Sequence, residues 1–467
     1  MVFPSHVFRE YDVRGVADTE LSDDLVRALG TTYANMLAEA SPPPGGRGLR
    51  IAVARDCRLS SPRLHAALVD GLTRAGVHVM DVGVGPTPEL YFAVFHLDAD
   101  GGVMITGSHN DAPENGVKMM RGKASFYGDD IRVLRDRVAA RLAAPPQSSG
   151  VRGSVETIDL SQAYVERLAE GIDLSGSGLK VVVDAGNGSA GPLGVLAIRR
   201  AGLTPDALFC DMDGRFPNHH PDPTVEKNLA ALIERVRETG AQVGLAWDGD
   251  GDRLGAVDAT GEIVWGDRLL TLFARDVLRA RPGAAVLGEV KCSQTLYDDI
   301  ALHGGRPILW KTGHSLIKTK MKEEGALLAG EMSGHIFFAD RYYGYDDGIY
   351  AALRLLEILA REKKTMGELL ADLPRTVTTP ELRVACPDAL KFDVVARVRE
   401  RFRAGHEVID VDGARILFGD GAWGLVRASN TGPILVLRFE ARTQERLDVI
   451  RAEVESAVTA ERQALGG

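Results

Sequence analysis

Cysteine is scarce in this chain. Its 467 residues hold four, Cys57, Cys210, Cys292 and Cys386, far apart and without a C-x-x-C pair, which excludes a structural zinc site or a disulfide scaffold. Long hydrophobic runs are missing too. No stretch approaches about eighteen consecutive apolar residues, so no membrane-spanning helix is expected. The opening residues M-V-F-P-S-H-V-F-R-E lack a basic stretch followed by an apolar one, so no secretory leader is expected either. A reduced, cytoplasmic enzyme is the simplest reading. Positive charge is in deficit: 55 Lys and Arg face 65 Asp and Glu, and the balance of −10 gives no electrostatic reason for a nucleic acid partner. Composition marks no surface for self-association, so no oligomeric state is assigned. The hydrophobic fraction of 45% is that of a globular chain and argues against disorder. At roughly 150 residues per domain, the length suggests about three or four domains.

What is present is a repeated rhythm. Near residue 50 L-R-I-A-V-A-R-D reads as a short buried strand, near 180 L-K-V-V-V-D-A-G reads the same way, and near 285 so does A-A-V-L-G-E-V. Each is followed by a helix-sized segment, a glycine stop (Ala75-Gly76, Ala201-Gly202, Gly304-Gly305) and another apolar run (V-H-V-M-D-V, L-T-P-D-A-L-F, R-P-I-L-W). Helix, glycine, then strand is αβ punctuation. Each segment then reaches a further apolar strand that ends in polar residues: T-G-S-H-N at 106–110, D-G-D-G-D-R at 248–253 and G-E-M-S-G-H at 330–335. Polar loops beyond strand ends are where α/β sheets present ligand sites. S-P-P-P-G-G at 41–46 is expected to be a loop and A-A-P-P-Q-S-S-G at 143–150 a linker. From about residue 375 the pattern changes to strand, helix, strands and a final helix, a small α+β domain with antiparallel strands.

The densest chemical signal is Asp248, Asp250 and Asp252, separated by glycines and followed by Arg253. In an extended loop, residues i, i+2 and i+4 share a side, so the carboxylates converge. Their mutual repulsion calls for a cation, and oxygen ligands select a hard one, Mg²⁺ or Ca²⁺. A calcium EF-hand fits poorly, because Arg253 stands where the loop's glycine belongs and Ala259 where its glutamate belongs. Mg²⁺ combines carboxylates with phosphate oxygens, which points to a phosphorylated partner. Ser108, on a glycine-flanked loop beyond V-M-I-T, is a candidate nucleophile, although no G-x-S-x-G elbow is present and taken singly it reads as a turn residue. In the third loop Glu331 and Ser333 can bind a polyol, with His335 available for proton transfer. Arg427-Ala428-Ser429-Asn430-Thr431-Gly432-Pro433 reads equally as a phosphate cradle and as a plain hairpin turn.

Taken together and in order, T-G-S-H-N, D-G-D-G-D-R, G-E-M-S-G-H and R-A-S-N-T-G-P resemble the α-D-phosphohexomutase family. F-R-E-Y-D-V-R-G at 8–15, F-P-N-H-H-P-D-P at 216–223 and K-T-G-H-S-L-I-K at 311–318 support the match, which covers essentially the whole chain. The resemblance implies three topologically similar α/β domains and a C-terminal α+β domain around a central active-site cleft. The expected boundaries are 1–154 with the phosphoserine loop, 155–257 with the metal loop, 258–372 with the sugar loop and 373–467 with the phosphate loop.

It further implies an isomerase, an intramolecular phosphotransferase of the phosphomannomutase/phosphoglucomutase kind. Hexose 1-phosphate and hexose 6-phosphate, of mannose and/or glucose, would interconvert through phospho-Ser108 and a hexose 1,6-bisphosphate that reorients before returning its other phosphate. By the same resemblance Ser108, Asp248, Asp250 and Asp252 hold Mg²⁺, and glucose 1,6-bisphosphate serves as activator. His109, Arg14, Lys118, Arg253 and His335 join Ser108 in catalysis, with Lys118 and His335 both candidates to take the substrate proton. Tyr11, Lys291, His314, Glu331, Ser333, Arg427, Ser429, Asn430 and Thr431 bind the sugar phosphate. Domain closure is expected to exclude water from the phosphoserine, with a hinge near 370–378.

The chain departs from the family where a proline usually follows T-G-S-H-N. Asp111-Ala112-Pro113 stands there instead, and is expected to loosen the loop and add negative charge near the phosphoserine. Alternative readings are a phosphoglucosamine mutase, which usually carries glutamine at the position of Met332, a sugar-phosphate phosphatase, and a non-catalytic sensor.

Overall fold

The apolar runs at 50, 180 and 285 are strands, and each opens the same pattern. In the computed structural model, which describes residues 3–144, 151–429 and 432–466, they are Arg50–Arg55, Val181–Asp184 and Ala285–Glu289. Residues 145–150 of the expected linker, together with Asn430 and Thr431, lie outside the described residues. Contacts divide the chain into two compact units, Met1–Leu269 with Ser333–Leu369, and Leu270–Met332 with Leu370–Gly467.

The first unit holds two α/β sheets. In one, Arg50–Arg55 lies between parallel partners His78–Val84 and Gly101–Ile105, and Glu114–Arg121 then turns back antiparallel to Gly101–Ile105. In the other, Val181–Asp184 lies between Asp206–Leu208 and Val243–Trp247, and Leu254–Asp258 turns back antiparallel to Val243–Trp247. The second unit repeats the core of this arrangement: Ala285–Glu289 lies between Arg306–Trp310 and Leu328–Gly330, all parallel. The third strand of each pattern ends at one of the polar loops. Its residues are buried in all three cases, as a strand covered on both faces requires.

Helix Ser61–Arg74 illustrates how sequence makes these layers. Pro62 sits at its start, where a missing N–H costs nothing. Leu64, Leu68 and Leu72 follow at one-turn spacing and are fully buried, each contributing about 2 kcal/mol of apolar burial. Gly76, at φ 80°, ends the helix. It packs on Asp23–Ala40, which Ser22 caps by accepting from the Leu25 N–H. The two backbones come close at Gly71, where a Cβ would lie 2.2 Å from the Arg27 carbonyl oxygen.

The C-terminal part of the second unit is an antiparallel sheet in the order Val377–Thr378, Ile434–Ala441, Ala422–Ala428, Ala414–Gly419, Glu407–Ile409, with Leu382–Ala385 also on Ile434–Ala441. Helices Lys391–Arg403 and Gln444–Ala464 cover it, burying Val394, Val398, Ile450 and Val454 against Leu437 and Phe439. Three α/β layers and a C-terminal α+β sheet are thus the expected architecture. Among the described residues no helix is long and apolar enough to cross a membrane.

Candidate active site

Strand Gly101–Ile105 delivers Ser108 on a tight loop. The Ser108 N–H donates to Thr106 Oγ1 at 2.8 Å, and the Asn110 N–H to the Gly107 carbonyl at 2.9 Å. Ser108 itself is buried and left-handed, at φ 49°. For a non-glycine residue that conformation costs on the order of 1–3 kcal/mol and marks a constrained position.

The constraint comes from Arg58, a residue the sequence reading passed over. Its buried guanidinium donates to the carbonyls of Ser108 (2.8 Å), Asn110 (2.6 Å), Asp111 (2.7 Å) and Glu114 (3.0 Å), so it threads the loop from inside. Gly107 is required there, since a Cβ would lie 2.6 Å from Arg58 Cζ. The loosening expected from Asp111 is countered by this brace. Its side chain is 88% exposed, so its charge is solvated rather than turned on Ser108.

Strand Val243–Trp247 delivers the three aspartates. All are fully buried and their ligand atoms lie within 4.8 Å of one another. They converge on a curled loop, not an extended one: Gly251 takes φ 77°, and its N–H donates to the Asp248 carbonyl at 3.1 Å. Ser108 Oγ donates to Asp248 Oδ2 at 2.9 Å. Lys118, from the returning strand Glu114–Arg121, bridges Asp250 Oδ2 (2.7 Å) and Asp252 Oδ2 (2.6 Å). Thr87 adds its hydroxyl to Asp250 at 2.5 Å.

One ammonium does not balance three buried carboxylates. Burial, with Asp252 and Asp250 close by, pushes Asp248 well above the usual carboxylate range. Burial opposes ionisation of Asp250 as well, but Lys118 overrides it and holds that group low. Lys118 is raised in turn: burial alone would lower it, and Asp250 and Asp252 outweigh that. Oδ1 of Asp250 is buried with no hydrogen-bond partner among the described residues. An all-oxygen donor set with an orphaned carboxylate oxygen beside a serine hydroxyl fits a hard divalent cation.

Around this core the same unit gathers the other expected catalytic residues. Arg253 donates its Nε–H to His335 Nε2 at 2.9 Å, and its backbone N–H to Asp248 Oδ1 at 3.2 Å. His335 Nδ1 lies 3.0 Å from Asp346 Oδ2 and 3.5 Å from Asp252 Oδ1. Asp346 was not singled out in the sequence. Arg14 donates to Asn110 Oδ1 at 2.7 Å and pairs with Asp12 at 2.8 Å. Burial would lower the Arg14 pKa, but Asp12 and then Asp250 raise it. His109 pairs with Asp222 at 2.9 Å. Burial, followed by the charge of Arg253, pushes His109 down to about 3. Tyr11 is half-buried just ahead of Arg14, and half-buried Ser333 opens the segment Ser333–Leu369.

The second unit carries the remaining described candidates. Glu331 Oε1 accepts the Gly313 N–H at 2.6 Å, which fixes the turn ahead of His314, first residue of helix His314–Glu324. Buried Lys291 pairs with Glu381 at 3.3 Å. Desolvation lowers its pKa, but Glu289, Glu381 and Glu331 raise it overall. Glu289, fully buried and overlooked in the sequence, accepts the Lys291 N–H and the Thr312 hydroxyl, both at 2.8 Å. Arg427 donates to Asp412 Oδ2 at 3.0 Å, and Ser429 is buried at the end of strand Ala422–Ala428.

A buried serine facing a cation-ready carboxylate cluster, on repeated α/β layers, defines a phosphotransfer scaffold. The comparisons agree. Residues 5–141, 162–261 and 265–377 match the phosphoglucomutase/phosphomannomutase alpha/beta/alpha domains I, II and III, and residues 381–457 match the C-terminal domain of the same family. The chain is 44% identical to a phosphomannomutase/phosphoglucomutase of Pseudomonas syringae over 452 residues, 96% of this chain and 94% of that one. It is also 44% identical to a phosphoglucomutase of Neisseria meningitidis over 97% of this chain and 96% of the other. A crystal structure of a phosphoglucomutase/phosphomannomutase family protein from Burkholderia thailandensis superposes with a TM-score of 0.90 at 43% identity, covering 99% and 98% of the two chains. The chain therefore belongs to the phosphoglucomutase/phosphomannomutase family of α-D-phosphohexomutases, and is an isomerase, an intramolecular phosphotransferase.

Proposed function

We propose that the chain interconverts the 1- and 6-phosphates of mannose and glucose, with Ser108 carried as a phosphoserine that donates to and recovers its phosphate from the sugar. The observation that carries this reading is the contact of Ser108 Oγ with Asp248 Oδ2 at 2.9 Å inside the buried carboxylate cluster. Phosphate-monoester chemistry needs positioning and charge stabilisation far more than covalent help from the protein. Asp248, Asp250 and Asp252, with the phosphoserine, would hold Mg²⁺, which supplies charge neutralisation at the serine oxygen when bound.

Lys118 and Arg253 stabilise the oxygens of the phosphoryl group in flight. Lys118 is held as an ammonium by two carboxylates, so it is a poor proton acceptor. His335 takes the proton of the attacking sugar hydroxyl at Nε2, once the Arg253 N–H that occupies this lone pair turns to the phosphoryl oxygens. His109 and Arg14 order the serine loop. Glu331 and Ser333 read sugar hydroxyls. Tyr11, Lys291 and His314, with Arg427, Ser429, Asn430 and Thr431, receive the sugar phosphate and its non-reacting phosphate. The four domains divide at 154/155, 257/258 and 372/373. Glucose 1,6-bisphosphate rephosphorylates Ser108 when the intermediate escapes, and four widely spaced cysteines without a C-x-x-C pair are in keeping with a cytoplasmic location.

A time course on mannose 1-phosphate and glucose 1-phosphate, with Mg²⁺ and a trace of glucose 1,6-bisphosphate, tests this. The 6-phosphate product and free phosphate are followed together. Conversion with little phosphate released is expected. Free phosphate equal to sugar consumed means a phosphatase, and no conversion of either sugar overturns the hexose assignment and sends the test to glucosamine 6-phosphate.

A further inference from the structure

The segment F-P-N-H-H-P-D-P (216–223) has no task in the proposed reaction, yet its side chains reach the serine loop. The Arg58 guanidinium, which threads that loop, lies over the Phe216 ring at 5.1 Å. His220 Nε2 meets the His109 carbonyl at 2.5 Å. Pro221 accepts the Gly249 N–H at 3.1 Å, which ties the same segment to the aspartate loop. Asp222 Oδ2 receives His109 Nδ1 at 2.9 Å.

The Asp222 carboxylate is itself held rigid. Its Oδ1 accepts the Thr224 N–H at 3.0 Å and the Thr224 hydroxyl at 2.6 Å, and its side chain is nearly buried. A carboxylate accepts only, so His109 Nδ1 carries the hydrogen and Nε2 the lone pair. Ring plane, tautomer and carbonyl of the residue next to Ser108 are thus set from this segment, beside a serine that would not keep a left-handed backbone unaided.

We propose that Asp222 is a positioning residue for phosphoryl transfer, acting through His109 to hold Ser108 Oγ in line with the aspartate cluster. This rests on the reading that phospho-Ser108 is the phosphoryl donor. A held pair of this kind acts on rate, since small misplacement of a reacting atom costs far more than it changes substrate affinity.

The test compares kcat and KM for glucose 1-phosphate in the full chain and in Asp222→Asn, Asp222→Glu, His109→Gln and the Asp222→Asn/His109→Gln double variant. Asp222→Asn is expected to lower kcat roughly ten- to hundredfold with KM little changed, and Asp222→Glu to recover part of the rate. The double variant should be no slower than His109→Gln alone, because residues acting as one unit are not additive. Losses that multiply, a kcat left at the wild-type value, or an effect confined to KM overturn the proposal. If Asp222→Asn does not fold, Thr224→Val, which removes one donor to Asp222, must give a smaller kcat loss in the same direction, and an unchanged kcat overturns the proposal. Ser108→Ala is run alongside. Turnover retained there sinks the phosphoserine reading itself, whereas a dead Ser108→Ala with multiplying losses sinks only the role of Asp222.

Discussion

His335 Nδ1 lies 3.0 Å from Asp346 Oδ2, and both side chains are buried. With Arg253 donating to Nε2, the ring carries its hydrogen on Nδ1, between Asp346 and Asp252. On the proposed reading, in which His335 is the base, the Asp346 carboxylate favours this tautomer by its charge and would stabilise the imidazolium that results.

Replacing Asp346 with Asn should lower kcat by about a hundred- to a thousandfold, inside the range that general-base catalysis supplies. KM should move little. Steady-state kinetics on glucose 1-phosphate checks this, and a rise in KM at constant kcat would place Asp346 in substrate binding instead.

The left-handed backbone of Ser108 gives a stability prediction that is separate from rate. Ser108→Ala and Ser108→Gly should both lack turnover. Glycine relieves the positive φ and alanine does not, so the glycine variant should be more stable by about 1 kcal/mol. Thermal melts of the two variants side by side measure the difference; an alanine variant that melts higher would mean the strain is not there.

Glu89, buried in the first turn of helix Thr87–His96, is pushed up to about 8 by burial and then by Asp159. The folded state keeps this proton where the unfolded chain, with the ordinary value of 4.5, has lost it. Stability from this group is therefore full below pH of about 4.5 and declines as pH rises to about 8. The total is at most on the order of 5 kcal/mol. Melting temperatures of the wild type should fall across that window more steeply than those of Glu89→Gln, and parallel curves would refute the assignment.

Mg²⁺ should raise the melting temperature of the chain, since a cation bound only by the folded state stabilises it by about 2.7 kcal/mol at a hundred times its dissociation constant. Asp250→Asn should abolish the shift and the turnover together. A shift that survives this variant would locate the metal elsewhere.

Much of the fold was legible because periodicity is local. The strands Arg50–Arg55, Val181–Asp184 and Ala285–Glu289 and their glycine-ended helices stand where apolar runs and stops marked them. The C-terminal strand Glu407–Ile409 was missed: a run of three residues, two of them apolar, is too short to signal a strand until a neighbour pairs with it. The loops that carry chemistry were legible by residue type, so Ser108 and the three aspartates were named before their geometry was known.

The sequence by itself determined the order of elements, the repeated α/β layers and the identity of the serine, the aspartates and the motif residues, because these depend on spacing within a few turns or strands. Tertiary structure alone decided which distant residues meet. Arg58 inside the serine loop and Asp346 on His335 are single residues with no motif around them, and Asp222, although inside F-P-N-H-H-P-D-P, carries no local sign of its partner His109; the three are brought across gaps of 50, 11 and 113 positions. The left-handed Ser108 likewise follows from a partner, Arg58, contributed by another loop. Burial of a charge forces it to find a partner, and only the packed chain determines which one is in reach.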